Sequence, residues 1–219
     1  MDKKLIISFS AASLVIFSSC AGIIGFRNPD ISREDVVRQE AAKDLPPVKF
    51  DDFEKGKLTG AYSYANKGGG ASVAYNITSP GEGHESRYAA VADYDTGSNS
   101  DWGCGFGSST NYGEGFIDAA DRRKISVWVK AEEGITFYIF VNESSANGAD
   151  GEFWNSPSQT GAGEWMEYEI PFDEFFRNIY SGNQAGNLEF DAEGIGVVGA
   201  QLGGNQGKGK FYIDDIWIK

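Results

Sequence analysis

At 219 residues the chain is long enough for one sizeable domain, and its formal charge of −13, with no basic stripe, argues against a nucleic-acid partner. Gly is the most abundant residue at 29 copies and aromatics make up 14%, which points to an all-β domain with many turns. There are two cysteines and one histidine, so neither a disulfide framework nor multi-His metal chemistry is supported.

In chain order, Lys3 and Lys4 precede a short apolar run, Leu5 to Phe17, which is too short to span a bilayer and reads as a secretory signal. Phe17-Ser18-Ser19-Cys20 resembles a bacterial lipobox, with Phe where Leu is usual. It predicts lipidation of Cys20, and hence a membrane anchor that does not span. Ala21 lacks the acidic signal for inner-membrane retention, so the expected location is the cell envelope, at the outer membrane or cell surface. Residues 21–48 read as a tether. Ser32-Arg-Glu-Asp35 has the look of a capped helix start, and Pro46-Pro47 ends that helix.

From residue 49 the signals are strand-like to the C-terminus. Strands are predicted over 58–65, 71–78, 87–94, 102–108, 124–130, 135–142, 152–155, 165–172, 194–202 and 210–219, with a helical turn over 172–177. Gly, Pro and Asn turns separate them. The fold class is a two-sheet antiparallel β-sandwich of the jelly-roll kind, spanning 49–219. The last strand is apolar on both sides. Strict alternation puts Tyr212, Ile216 and Ile218 on one face and Phe211, Ile213 and Trp217 on the other, so it is expected at the centre of a sheet. Asp214 and Asp215 interrupt it. Either one Asp faces solvent while the other accepts hydrogen bonds at a bend, or a cation sits there with help from Asp51-Asp52-Phe53-Glu54.

The order of Asp52-Phe53-Glu54, Lys124-Ile-Ser-Val-Trp-Val-Lys130, Glu164-Trp165 leading into Tyr168-Glu-Ile-Pro-Phe172, Gly194-Ile-Gly-Val197 and Lys210-Phe-Tyr-Ile-Asp-Asp-Ile216 resembles the galactose-binding-like jelly rolls. It is most similar to family 11 carbohydrate-binding modules. A related group, similar to the complex I intermediate-associated protein, shares parts of the pattern. The resemblance implies a non-catalytic, monomeric binder of a polysaccharide or oligosaccharide. It also implies a structural Ca²⁺ tying the first strand to the last through Glu54 and Asp214 or Asp215, with Asp52 and the Lys67–Gly70 carbonyls as further candidates.

Sugar sites of this class pair aromatic rings with amides or charged groups on a concave sheet face or at loop tips. The candidate stackers are Tyr94, Trp102, Tyr138 and Trp154, with Trp154 expected to be the most exposed. The candidate polar partners are Asn142, Arg87, Asp93 and Gln201. Thr136, Tyr138, Phe140 and Asn142 share one strand face, the mix a sugar-facing strand would carry. Trp128, Trp165 and Trp217 read as core, and Cys104 as a small buried residue. The competing reading is a structural or adhesive surface protein that binds a protein partner through the same fold. No catalytic motif stands out.

Overall fold

The computed structural model describes residues 45–58, 60–110, 115–144 and 151–219. Cys20, the signal and the predicted tether helix lie outside the described residues. Among the described residues, thirteen strands form two antiparallel sheets. They are β1 (Val48–Asp51), β2 (Ala61–Ala65), β3 (Ser72–Ile77), β4 (Ala90–Asp95), β5 (Cys104–Ser109), β6 (Lys124–Ala131), β7 (Thr136–Glu143), β8 (Glu152–Asn155), β9 (Gln159–Thr160), β10 (Trp165–Pro171), β11 (Phe176–Gly182), β12 (Ile195–Leu202) and β13 (Lys208–Ile218). The six-stranded sheet runs β10-β6-β13-β4-β3, with β1 on the far half of β13. The seven-stranded sheet runs β11-β8-β7-β12-β5-β2, with β9 beside β7.

The inward residues of both sheets make one core. Phe211 sits at its middle, 5.2 Å from Phe106 and 4.9 Å from Phe137 in edge-to-face contacts. Alternation delivers these rings: Val127 and Val129 of β6, Ile139 and Val141 of β7, and Val198 and Ala200 of β12 point the same way. Each fully buried large side chain contributes about 1.5–3 kcal/mol of transfer free energy.

The predicted strands are present, with three differences. The first is β1, formed where Pro46-Pro47 sets an extended lead-in, and paired to β13 at Val48↔Ile218. The second is the predicted turn over 172–177. It closes after Glu174, because Phe175 is already extended (φ −71°, ψ 138°) and Phe176 begins edge strand β11. The third concerns the tryptophans read as core. Trp128 and Trp217 face outward from the six-stranded sheet and are half-buried, as is Trp165, paired to Lys130. Their aliphatic neighbours are the ones that turn inward.

The centre of the six-stranded sheet is β13, as expected, but its two halves do not share one alternation. Asp215 adopts φ +45°. Asp214 pairs with Trp128 and Trp217 with Ser126, so Asp215 and Ile216 together oppose one residue of β6. This bulge shifts the parity by one. Phe211, Ile213, Ile216 and Ile218 all enter the core, leaving Tyr212, Asp214 and Trp217 on the outside. A left-handed conformation costs an L-residue about 1–2 kcal/mol, least for Asn, Asp and Gly. Asp215→Gly is therefore expected to leave stability within about 0.5 kcal/mol of the parent or above it, and Asp215→Val to lower it by about 1–2 kcal/mol. Urea unfolding midpoints measure both, and equal stability of the two variants would remove the bulge as a determinant.

Candidate functional site

The outer face of the seven-stranded sheet is built from alternate residues of successive strands. Register places Tyr62 and Tyr64 of β2 opposite Gly107 and Gly105 of β5. It then sets Gly105 and Gly107 against Gln201 and Gly199 of β12, and these against Tyr138 and Phe140 of β7. Phe140 meets Asn155 of β8, which in turn meets Phe176 of β11. The rings join up. Tyr62 lies 5.6 Å from Tyr64, Tyr64 lies 5.8 Å from Trp102 and 6.1 Å from Phe140, and Phe140 stacks on Phe153 at 4.8 Å. Tyr138 stands edge-on to Phe176 at 6.4 Å. The central rings, Phe140 and Phe153, are buried beneath their neighbours. Tyr62, Trp102 (41% exposed) and Phe176 (48%) offer open surface at the two sides.

The glycines of the face make room for these rings. A Cβ on Gly105 would lie 2.3 Å from the Tyr64 ring, and one on Gly199 would lie 2.6 Å from Phe140. The Tyr64 and Phe140 rings thus lie down over bare backbone at Gly105 and Gly199, while Gly107 lets β5 approach the backbone of β12. Polar groups are amides and hydroxyls. The Tyr64 hydroxyl, held protonated by burial, donates to Gln201 Oε1 at 3.1 Å. Asn142 Nδ2 donates to the Glu152 carbonyl at 3.1 Å. Among the described residues, no outward position of the paired strands from β2 to Phe176 carries a charge. The opposite face of the sandwich differs, with ion pairs Lys124–Glu169, Lys208–Asp95, Lys210–Asp93 and Lys219–Glu167.

The predicted stackers separate. Trp102 and Tyr138 belong to the ring face, with Asn142 and Gln201. Trp154 does not. It pairs with the inward Val141 and is 5% exposed, packed 5.7 Å from Phe190. Its glycine-rich flank suggested a loop, but β8 alternates so that Phe153, not Trp154, faces out. Tyr94 is likewise buried, at 4%, between the sheets. Arg87 and Asp93 lie on the side of the six-stranded sheet, Arg87 over the Tyr88 ring and Asp93 paired to Lys210. Tyr62, Tyr64 and Phe176 were missed. The alternation Tyr62-Ser-Tyr64 opposite Gly105 and Gly107 is the signal that identifies the first two, but it exists only once β2 and β5 are paired. Cys104 is buried, its thiol pushed up to about 11 by desolvation.

The acidic residues expected to bind Ca²⁺ are occupied otherwise. Asp214 is fully buried. Its Oδ2 accepts from His84 N–H (2.8 Å) and the Ser86 hydroxyl (2.7 Å), and its Oδ1 from Asp215 N–H (2.8 Å). Glu54 Oε1 accepts from the N–H groups of Arg87 (3.0 Å) and Tyr88 (2.8 Å). Asp215 faces the His84 ring, Nδ1 to Oδ2 at 3.4 Å, and Asp52 pairs with Lys49. The Lys67–Gly70 turn packs against Asn99, at the opposite end of β4. Among the described residues no three His, Cys, Asp or Glu converge as metal ligands. These hydrogen bonds engage both oxygens of Asp214 and one oxygen of Glu54 within the protein. Glu54 and Asp214 do converge, on the segment 84–88, and the link between chain ends is made of hydrogen bonds. Burial pushes the Asp214 carboxyl up to about 6 despite these donors.

Comparison with known proteins follows the fold. The model of the family described as Complex I intermediate-associated protein 30 (CIA30) matches residues 47–214. A search of curated proteins returns no match. Among solved structures, the family 11 carbohydrate-binding module of a Clostridium thermocellum cellulosomal cellulase aligns at TM-score 0.59 and 25% identity, over 80% of this chain and 94% of that one. A Clostridium thermocellum family 11 module in complex with a β-1,3-1,4-mixed-linked tetrasaccharide aligns at TM-score 0.58 and 26% identity, over 78% and 94%. An exo-β-agarase, at TM-score 0.51 and 12% identity over 78% of this chain and 24% of its own, shares the fold alone.

Two measurements test the site. Gly105→Ala forces the Tyr64 ring off the face and costs about 1–3 kcal/mol by overpacking, whereas Gly68→Ala, whose nearest neighbour would be Asn66 Oδ1 at 3.7 Å, is expected to be tolerated. Equal unfolding midpoints for the two variants would contradict the packing described. For Asp214 the folded value lies above the unfolded one, so its proton-linked stabilisation is complete below pH 4 and lost as pH rises through about 6. The stability difference between the parent and Asp214→Asn is expected to shrink between pH 4 and pH 7 in urea titrations. A constant difference would show that Asp214 does not titrate in that range.

Proposed function

The chain belongs to the complex I intermediate-associated protein 30 family, and on that premise we propose that it is a non-catalytic polysaccharide-binding protein, held at the bacterial cell envelope by lipid on Cys20. The ring face of the seven-stranded sheet is the binding surface. The observation that carries this reading is the continuous set of rings and amides on an uncharged sheet face. Rings cover the apolar faces of sugars, and amides and hydroxyls meet their hydroxyls. The family 11 likeness supports the same ligand class, one such module being described in complex with a mixed-linked tetrasaccharide.

Catalysis is not part of the proposal. Glycoside hydrolysis needs two carboxylates across the bond, and the outward positions of the ring face supply none. The buried carboxylates nearby are engaged inside the sandwich. Glu143 accepts from the N–H groups of Glu152 (3.1 Å) and Asp191 (2.8 Å), and Glu152 is ion-paired with Arg177.

A second reading follows from the family's description, which names association with an intermediate of complex I. On it, the same ring face takes a protein partner. Affinity electrophoresis through gels containing mixed-linked β-glucan, xylan or mannan separates the two. Retardation by at least one is expected, with Trp102→Ala weakening it about tenfold. No retardation on any of the three overturns the sugar-binding reading.

A further inference from the structure

Asn155 ends β8 on the ring face, in register with Phe140 on one side and Phe176 on the other. The residue is 9% exposed, and its Oδ1 is buried and accepts no hydrogen bond. The other amides of this face are in use. Gln201 Oε1 receives the Tyr64 hydroxyl, Asn142 Nδ2 donates to the Glu152 carbonyl, and Gln206 Oε1 receives both the N–H and the hydroxyl of Thr136 at 2.7 Å. Buried polar atoms are nearly always partnered, and one that is not represents a standing cost to the fold. Of the other buried polar atoms without a conventional hydrogen bond, Glu152 Oε1 and Arg177 Nε are ion-paired with each other, those of Tyr75, Tyr94 and Trp154 lie in or against the core between the sheets, and Arg122 precedes β6 in the other sheet. Asn155 Oδ1 is the one such atom, among the described residues, on the ring face.

Its surroundings define what it can take. Phe176, exposed and edge-on to Tyr138, and the stacked pair Phe140 and Phe153 make an apolar frame. An acceptor in an apolar frame calls for a donor that brings little charge with it. An ammonium or guanidinium would lose its water with no carboxylate on the face to replace it. A carboxylate or sulfate would find no cation there.

We infer that Asn155 is a specificity-determining residue of the ring face. Its Oδ1 accepts a hydrogen bond from a hydroxyl of an uncharged glycan whose sugar ring lies against Phe176 and Tyr138. This rests on the sugar-binding reading and adds to it a residue, a donor type and a charge state of the ligand. The unpaired acceptor is carried at a cost by the free protein and satisfied only in the complex. A site built this way rejects analogues that lack the matching donor far better than an apolar site does.

The test compares Asn155→Leu and Asn155→Ala with Trp102→Ala. It uses thermal midpoints of the free proteins and affinity electrophoresis on mixed-linked β-1,3-1,4-glucan and on the same glucan carboxymethylated. Asn155→Leu is expected to hold or raise the midpoint, since it removes an unsatisfied buried atom, while weakening binding to the neutral glucan about tenfold or more. The carboxymethylated glucan is expected to bind more weakly than its parent. If Asn155→Leu does not fold, the Asn155→Ala comparison decides. Full binding by the Asn155 variants, with Trp102→Ala impaired, overturns the assignment and leaves sugar binding standing. A lowered midpoint together with lost binding also overturns it, since that is the mark of a structural role. Tighter, salt-sensitive binding to the carboxymethylated glucan overturns the uncharged-ligand claim. No binding of either glucan by the parent protein overturns the inference together with the reading beneath it.

Discussion

The bulge at Asp215 and the buried carboxylate of Asp214 beside it set the frame for the rest of the sandwich. A strand of 11 residues at the centre of a sheet must keep one face on the core throughout. The apolar residues of β13 do not alternate that way. Phe211 and Ile213 are odd-numbered, Ile216 and Ile218 even-numbered. One extra residue at the middle reconciles them. The bulge leaves Asp214 facing outward yet covered, because His84 and Ser86 fold over it and give it N–H and hydroxyl donors. Glu54 holds the same segment from the other side through two backbone N–H groups. The His84 ring, stacked 3.5 Å from Trp128, completes the cover. The first and last parts of the domain are thereby both hydrogen-bonded to a third segment, residues 84–88.

With the six-stranded sheet closed off in this manner, the two outer faces take on different chemistry. The six-stranded sheet exposes lysines and carboxylates in pairs, each worth little for stability and useful for solubility. The seven-stranded sheet carries no charge at the outward positions from β2 to Phe176 and covers Gly105 and Gly199 with rings. In a protein of net charge −13, a run of outward sheet positions without charge is chemically distinct from the face opposite. That contrast is what favours the ring face as the proposed binding surface, and it is the reason an unpartnered acceptor such as Asn155 stands out against it.

Much of the site was legible in the residues, and the failures have particular causes. Thr136, Tyr138, Phe140 and Asn142 were assigned to one face from alternation alone, and that assignment needs no partner strand to be correct. Trp154 was misjudged because a glycine- and serine-rich flank resembles a loop, whereas β8 pairs with β7 and turns Phe153 outward instead. Tyr94 has the composition of a stacker but the parity of a core residue. The three tryptophans of the six-stranded sheet were assigned inward because aliphatic neighbours flank them, and it is those neighbours that fill the core. The Ca²⁺ expectation came from carboxylates at matching ends of the domain. Their convergence on residues 84–88 is real, but donors supplied by the backbone and by Ser86 meet them there.

What the sequence by itself determined is local. Alternation, turn residues and strand-forming composition are read along one chain, and they sufficed for the all-β class and for the face of an unbulged strand such as β7. What only the tertiary structure decided is relational. Which strands become neighbours places Tyr62 and Tyr64 over the glycines of β5, and the bulge at Asp215 reverses the sidedness of everything after it. Asn155 is an unremarkable asparagine in the sequence. Its meaning comes from pairing with Phe140 and Phe176 on either side, contributed by segments 15 residues before it and 21 after, in a fold that leaves its buried oxygen without a donor. Pairing between distant segments is a property of the folded chain, and no periodicity within one segment encodes it.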